Sequence, residues 1–158
     1  AEGMSIRFHE DGVRTMGRAA AGVRGIRLGK DDHVVALSIV SKDATLLVAG
    51  ENGIGKRTDF DDYRVQSRGG KGIKTMKITK KTGKVVGGLT VHEGDEIMLI
   101  TVGGQMVRTS VDGVRQTGRN AQGVRLVNVD DKDRLQDIAP VVSAEKEEVA
   151  AGEEEAEE

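Results

Sequence analysis

A cationic motif returns along this chain every 50 or 51 residues. It reads VRTMGRAAAGVRGIRL at Val13–Leu28, YRVQSRGGKGIKTMKI at Tyr63–Ile78 and VRQTGRNAQGVRLVNV at Val114–Val129. Arg14, Arg64 and Arg115 head the three copies. Arg18, Arg68 and Arg119 follow four residues later, and Gly22, Gly72 and Gly123 eight residues later. A fixed period of this size belongs to propeller-like or solenoid arrays, whose units bury apolar surface against their neighbours rather than in one irregular core. What recurs is cationic, which points to an extended polyanion.

The runs between the motifs suit antiparallel hairpins. Glycine numbers 22, proline 1, and aromatic residues only Phe8, Phe60 and Tyr63. Apolar strands are expected at Val34–Val40, Val85–Val91 and, more weakly, Leu135–Val142, followed by strands at Thr45–Ala49 and Glu96–Thr101. Gly50-Glu51-Asn52-Gly53 and Val102-Gly103-Gly104 supply the positive φ angles of tight turns. The return strands are Gly55–Thr58 and Met106–Thr109, carrying Arg57 and Arg108. Gly3–Arg7 fits the same place, so the chain reads as starting in mid-hairpin, a fragment of a longer array. The expected fold is all-β, a repeat array of four-stranded antiparallel blades, here about three of them. Residues 1–50 hold a truncated blade and the start of the next, 51–101 a blade and 102–144 the last blade. Residues 145–158 form an acidic tail expected to be disordered.

The stretch after each motif glycine has its own regularity. Apolar residues stand one, four and six places on: Val23, Ile26 and Leu28; Ile73, Met76 and Ile78; Val124, Val127 and Val129. Basic residues stand two and five places on: Arg24 and Arg27, Lys74 and Lys77, then Arg125, with Asn128 breaking the pattern. The change of parity requires an extra residue near Gly25, Thr75 and Leu126, as in a β-bulge. Both basic positions then point outward from one face.

Other chemistries find little support. Gly50–Arg57 comes within one residue of a phosphate-binding loop, but Arg57 replaces the hydroxyl residue and a hairpin replaces the required helix. Tyr63 is replaced by Val13 and Val114 in the other copies, so it reads as strand filler rather than a nucleophile. No cysteine is present, and His9, His33 and His92 lack metal-ligand spacing. Asp31-Asp32, Asp61-Asp62 and Asp130-Asp131 lie in turns, where Asp caps backbone groups. Neither catalytic residues, cofactor nor metal is expected. No run approaches the roughly 18–20 apolar residues of a membrane span, and no signal-peptide pattern opens the chain, so the cytosol is the expected compartment.

The net charge of −2 averages two unlike segments. Glu145–Glu158 holds eight glutamates against Lys146, a net of −7, so residues 1–144 carry +5. The tail reads either as a solubilising segment or as a competitor for the basic face. The candidate polyanion contacts are Arg14, Arg18, Arg24, Arg27, Arg57, Arg64, Arg68, Lys71, Lys74, Lys77, Arg108, Arg115, Arg119 and Arg125. Few aromatic residues disfavour single strands and RNA, whose bases stack on rings. Duplex DNA held through its phosphates, without base readout, is the expected partner.

Gln66-Ser67-Arg68-Gly69-Gly70-Lys71-Gly72 resembles a variant of the gyrase A box, QxRGGxG. GVRGIRL, ENGIGKRTDFDDY, LITVGGQMVRT and GRNAQGVR are similar to strings of the C-terminal DNA-wrapping domain of bacterial DNA gyrase A subunits. The resemblance covers about Gly3–Val142. It implies a β-pinwheel of six four-stranded blades with basic outer edges, of which this chain holds the last part and the acidic tail. The defining box belongs to the family's first blade, so Gln66–Gly72 is a degenerate copy in a later one. The resemblance also implies duplex DNA bent around the rim with positive handedness, in support of ATP-driven negative supercoiling. The implied partners are DNA, the rest of the gyrase A polypeptide and, through it, gyrase B in an A2B2 complex, near the nucleoid. Strand breakage would use a tyrosine elsewhere in the gyrase A polypeptide. The corresponding domain of topoisomerase IV is the alternative within this group; the acidic tail, GKRT and the box-like string favour gyrase. A protein-interaction propeller of the WD40 kind is the rival from another class, with a period of roughly 40–45 residues and WD dipeptides. This chain has no Trp.

Overall fold

The computed structural model describes residues 1–142. Its strands are β1 (Met4–Ser5), β2 (Thr45–Gly50), β3 (Ile54–Asp59), β4 (Ile73–Lys74), β5 (Val85–Val91), β6 (Glu96–Thr101), β7 (Met106–Ser110), β8 (Val124–Arg125) and β9 (Leu135–Val141). They form antiparallel sheets in the orders β5-β2-β3-β8, β7-β6-β9 and β1-β4. The fold is all-β, as expected. Among the described residues the only helical pieces are three 3-10 turns, and none is long and apolar enough to cross a membrane.

Each of the two larger sheets is built around a hairpin. At the β2–β3 tip the Gly53 amide donates to the Gly50 carbonyl at 3.0 Å, with φ of 74° at Gly53. A side chain there would stand 2.3 Å from the Val127 carbonyl oxygen, so the turn needs glycine for both conformation and space. The hairpin is not closed on itself. Its outer strand β3 pairs with β8, which comes from the next copy of the motif: Ile54 faces Arg125, and Gly55 faces Val124. In the same way β1 pairs with β4, Met4 facing Lys74. Each of these basic strands is thus lent to the unit before it. The four-stranded sheet accordingly spans both the 50/51 and the 101/102 divisions of the chain.

The extra residue implied by the parity change is visible in these bonds. The Gly3 carbonyl accepts from Thr75 N at 2.8 Å and Met76 N at 3.4 Å, and Gly53 from Leu126 N and Val127 N at the same distances. Two residues oppose one, and the strand turns its next apolar side chain inward. Met76 and Val127 are buried in consequence.

Strand composition follows layer position. β2 is central, and alternation puts Leu47 and Ala49 on one face and Val48 on the other. Leu47 and Ala49 join Val91, Ile97, Leu99, Val111, Val114, Val127, Leu135 and Ile138 in the larger core. Val48 packs with Met76 and Val85 in a second cluster. Both faces are covered, and the strand is apolar almost throughout. β6 instead alternates between half-buried residues and buried Ile97, Leu99 and Thr101, because only one of its faces meets the core. Pro140 lies on β9, an edge strand where its missing N–H leaves no gap in a ladder.

Two expectations need correction. Val34–Val40 is not a strand. Its counterparts β5 and β9 pair with β2 and β6, the strands that precede the return strands. Among the described residues Val34–Val40 has no such neighbour, and Val34, Leu37 and Ile39 stand 61, 87 and 76% exposed. The segment is tethered across β5 instead, where Ser38 Oγ donates to Gly88 O at 3.2 Å and Thr90 Oγ1 to Ile39 O at 2.6 Å. The basic strands are also shorter than expected: two residues each in β4 and β8, and none within Val23–Leu28.

Candidate nucleic-acid interface

The basic loops take their shape from backbone approach. Gly72 has φ of 73°, and a side chain on it would lie 2.1 Å from the Ser5 carbonyl oxygen. Its counterpart Gly123 approaches Gly55 O in the same way. Glycine lets the loop descend onto the return strand of the preceding unit. Farther out, Gly69 N donates to Gly25 O at 2.5 Å and Arg27 N to Gly70 O at 2.8 Å. These bonds stitch the Arg68–Lys71 loop to the Arg24–Arg27 segment, bringing cations from two copies of the motif together.

Each loop is preceded by a fixed turn. The 3-10 turns Glu10–Gly12, Phe60–Asp62 and Val111–Gly113 start from His9, Asp59 and Ser110, whose side chains accept from the amides of Asp11, Asp61 and Asp112. Three different cap residues occupy one repeat position, since each offers an acceptor near the amide two places on. The arginines Arg14, Arg64 and Arg115 leave the turns in equivalent frames.

The candidate cations divide into two groups. Arg14, Arg18, Arg24, Arg27, Arg64, Lys71, Lys74, Lys77 and Arg115 are exposed, and within the described residues their side chains make no hydrogen bond or ion pair. Arg125 is exposed and donates to Asn128 Oδ1 at 3.1 Å. The others are engaged. Arg57 is buried; its Nε donates to Val114 O at 2.8 Å and it pairs with Glu93 at 2.9 Å. It ties one unit to the next, so this candidate polyanion contact is withdrawn from solvent. Its counterpart Arg7 does the same, donating to Phe60 O at 2.8 Å and Tyr63 O at 3.4 Å. Arg108 is exposed and forks onto the Glu96 carboxylate across the β6–β7 pair. Arg68 donates to Gly12 O at 2.6 Å and Arg24 O at 3.3 Å, while Arg119 donates to Lys74 O at 3.0 Å. Arg24 and Lys74 are equivalent, so these two arginines hold the backbone that carries the free cation of the preceding copy.

Lys56, the lysine of the near phosphate-loop string, is fully buried. Its Nζ donates to Gly118 O at 3.0 Å and to Arg119 O. Burial and the Arg119 charge lower its pKa to about 8, against the opposing pull of Asp62. β3, rather than a helix, follows the glycines of this string. Tyr63 is buried with its hydroxyl 2.6 Å from Thr75 Oγ1; in the next copy the same two positions are apolar, Val114 and Leu126. Among the described residues no three His, Cys, Asp or Glu side chains gather to hold a metal. The acidic segment 145–158 lies outside the described residues.

Comparison with known proteins identifies the family. Residues 1–41, 44–92 and 95–141 match the family described as DNA gyrase C-terminal domain, beta-propeller, and the chain belongs to it. The DNA gyrase A subunit of Mycobacterium leprae is 44% identical over 141 residues, covering 88% of this chain and 11% of that protein. Its Salmonella typhimurium equivalent is 44% identical over 149 residues, covering 92% and 17%. The chain therefore spans under a fifth of the length of these relatives. A solved DNA gyrase A C-terminal domain superposes with a TM-score of 0.83 at 31% identity, covering 89% of this chain and 48% of that one. The C-terminal domain of DNA topoisomerase IV shares the fold, with a TM-score of 0.85 at 24% identity.

Proposed function

We propose that this member of the gyrase A C-terminal family binds duplex DNA through its phosphates and bends it along the basic edge. The observation that carries the proposal is the set of nine exposed, unengaged cations, eight at positions that are basic in more than one copy and Lys71 beside them, on segments stitched together by backbone bonds. Phosphate contacts of this kind position DNA without reading bases. Smooth bending of 20–30 bp costs on the order of 1–6 kcal/mol, which several charge contacts can offset. Within a gyrase A polypeptide, acting with gyrase B in an A2B2 assembly, the bent DNA would present a neighbouring segment for strand passage and so favour negative supercoiling. This chain would contribute binding and geometry, and the breakage chemistry would lie elsewhere in that polypeptide.

Affinity for a short duplex across a salt series tests binding. The log–log slope should be about −0.9 per phosphate neutralised. An affinity that barely changes with salt would overturn the reading. Relaxing a nicked plasmid, sealing it with the chain bound and then removing the chain tests wrapping: trapped superhelical turns of one sign are expected, and unchanged linking number would leave binding without wrapping.

A further inference from the structure

Lys56 occupies a position that carries no charge in the other copies. Ile6 and Val107 are its counterparts, three residues after Gly3 and Gly104 as Lys56 is after Gly53. Apolar side chains satisfy the fold there, so the lysine answers some other requirement. What distinguishes this junction is the destination of the ammonium. It enters from β3 and donates to two successive carbonyls, Gly118 and Arg119, in the basic loop of the following unit. That loop holds Arg119, whose guanidinium reaches back to Lys74 O. One chain of contacts therefore runs from buried Lys56 through the Arg119 backbone to the segment bearing the exposed Lys74 and Lys77.

We propose that Lys56 is a positioning residue for the Gly118–Arg119 loop and that it couples DNA binding at this loop to the uptake of a proton. The inference rests on the DNA-binding reading above.

Phosphate binding and protonation of Lys56 are reciprocally linked. The charged groups facing Lys56 are Arg119 from the loop and Asp62 from the turn after β3, close enough that a side chain on Gly118 would lie 3.8 Å from Asp62 Oδ2. Arg119 repels the ammonium and Asp62 attracts it. A phosphate settling against the loop would offset the Arg119 charge and favour the protonated amine. Burial already brings the titration to about 8, so the amine is partly neutral in mildly alkaline solution and a proton must be bound when DNA arrives. Linkage then requires affinity to fall as pH rises through that value. The protonated form is also the stronger hydrogen-bond donor to both carbonyls, so the loop is held most firmly in the form that binds DNA.

The test is duplex affinity from pH 7 to 9.5 at fixed salt, for the full chain and for Lys56→Met. Ile6 and Val107 show that the position accepts an apolar side chain, and a thermal melt checks that the variant folds. The original chain should lose affinity about threefold or more across this range, while Lys56→Met stays nearly flat. Isothermal titration at pH 8 in buffers of different ionisation enthalpy should show proton uptake on binding, absent in the variant. Parallel pH profiles, or equal proton uptake, would overturn the inference and leave DNA binding standing. If neither form bound DNA at any pH, the functional reading would fail and this inference with it. A Lys56→Met chain that does not fold leaves the buffer-dependent titration of the original chain as the decisive measurement: zero proton uptake there would also overturn the proposal.

Discussion

Arg24 and Arg57 are the same residue type in one repetitive chain, yet the fold gives them opposite work. Arg24 is exposed and its side chain is unengaged, whereas Arg57 is buried on the Val114 carbonyl. Arg24→Ala should leave stability within about 0.5 kcal/mol of the original and reduce the salt slope of DNA binding by up to about 0.9. Arg57→Ala should cost roughly 1–3 kcal/mol in denaturant unfolding, since it strands a buried carbonyl, and should leave the slope unchanged. The exposed Glu93 end of the Arg57 pair contributes little to that cost. The recurrence of arginine four residues after Gly3, Gly53 and Gly104 is legible in the sequence, but recurrence alone does not say whether a residue faces solvent or the next unit.

At the level of elements, the design depends on strands that cross between units. The basic strands β4 and β8 are each anchored by a motif glycine lying against the preceding return strand. Gly123→Ala should therefore destabilise the chain by more than the roughly 1 kcal/mol of an ordinary glycine change, because its φ is 94° and the new atom would approach Gly55 O at 2.3 Å. Amide exchange should accelerate in β3 and β8 together. Protection unchanged in β3 would contradict the strand pairing. Hairpins and the bulge are readable from sequence because they depend on neighbours within a few residues. Val34–Val40 misleads because a strand is defined by its partner, and an apolar pattern carries no information about whether one is present.

Over the whole molecule, two charge effects should be measurable. Lys56 has a folded-state pKa near 8 against an ordinary value of 10.5, so its folded form favours the neutral amine. The unfolded chain binds more protons between these values, and stability should rise with pH across that window. The penalty is fully present below about pH 8. Compared with Lys56→Met, the original chain should gain on the order of 1–3 kcal/mol between pH 8 and 10.5, measured by urea unfolding. Equal pH dependence in both would show that the amine titrates normally. The second effect concerns the tail. Residues 145–158 carry −7 against +5 on residues 1–144, and a tethered anion acts at high effective concentration. Deleting them should tighten duplex binding most at low ionic strength, where screening is weakest. Identical affinities with and without the tail across a salt series would reduce it to a solubilising segment.

The amino-acid sequence by itself determined the period, the all-β class, the hairpin turns and the recurrence of the cations. Each of these follows from short-range rules: the conformations open to glycine, the alternation of a strand and the spacing of like residues. The tertiary structure decided which cations are available. Arg57, Arg68 and Arg119 carry the same charge as Arg24 and Arg115 and recur with the same period, but backbone carbonyls of other units claim their guanidinium groups. It also decided that Lys56 is buried, because the next unit's loop closes over β3 more than 60 residues along the chain. Burial and partnership are properties of distant residues meeting, and no local pattern encodes them.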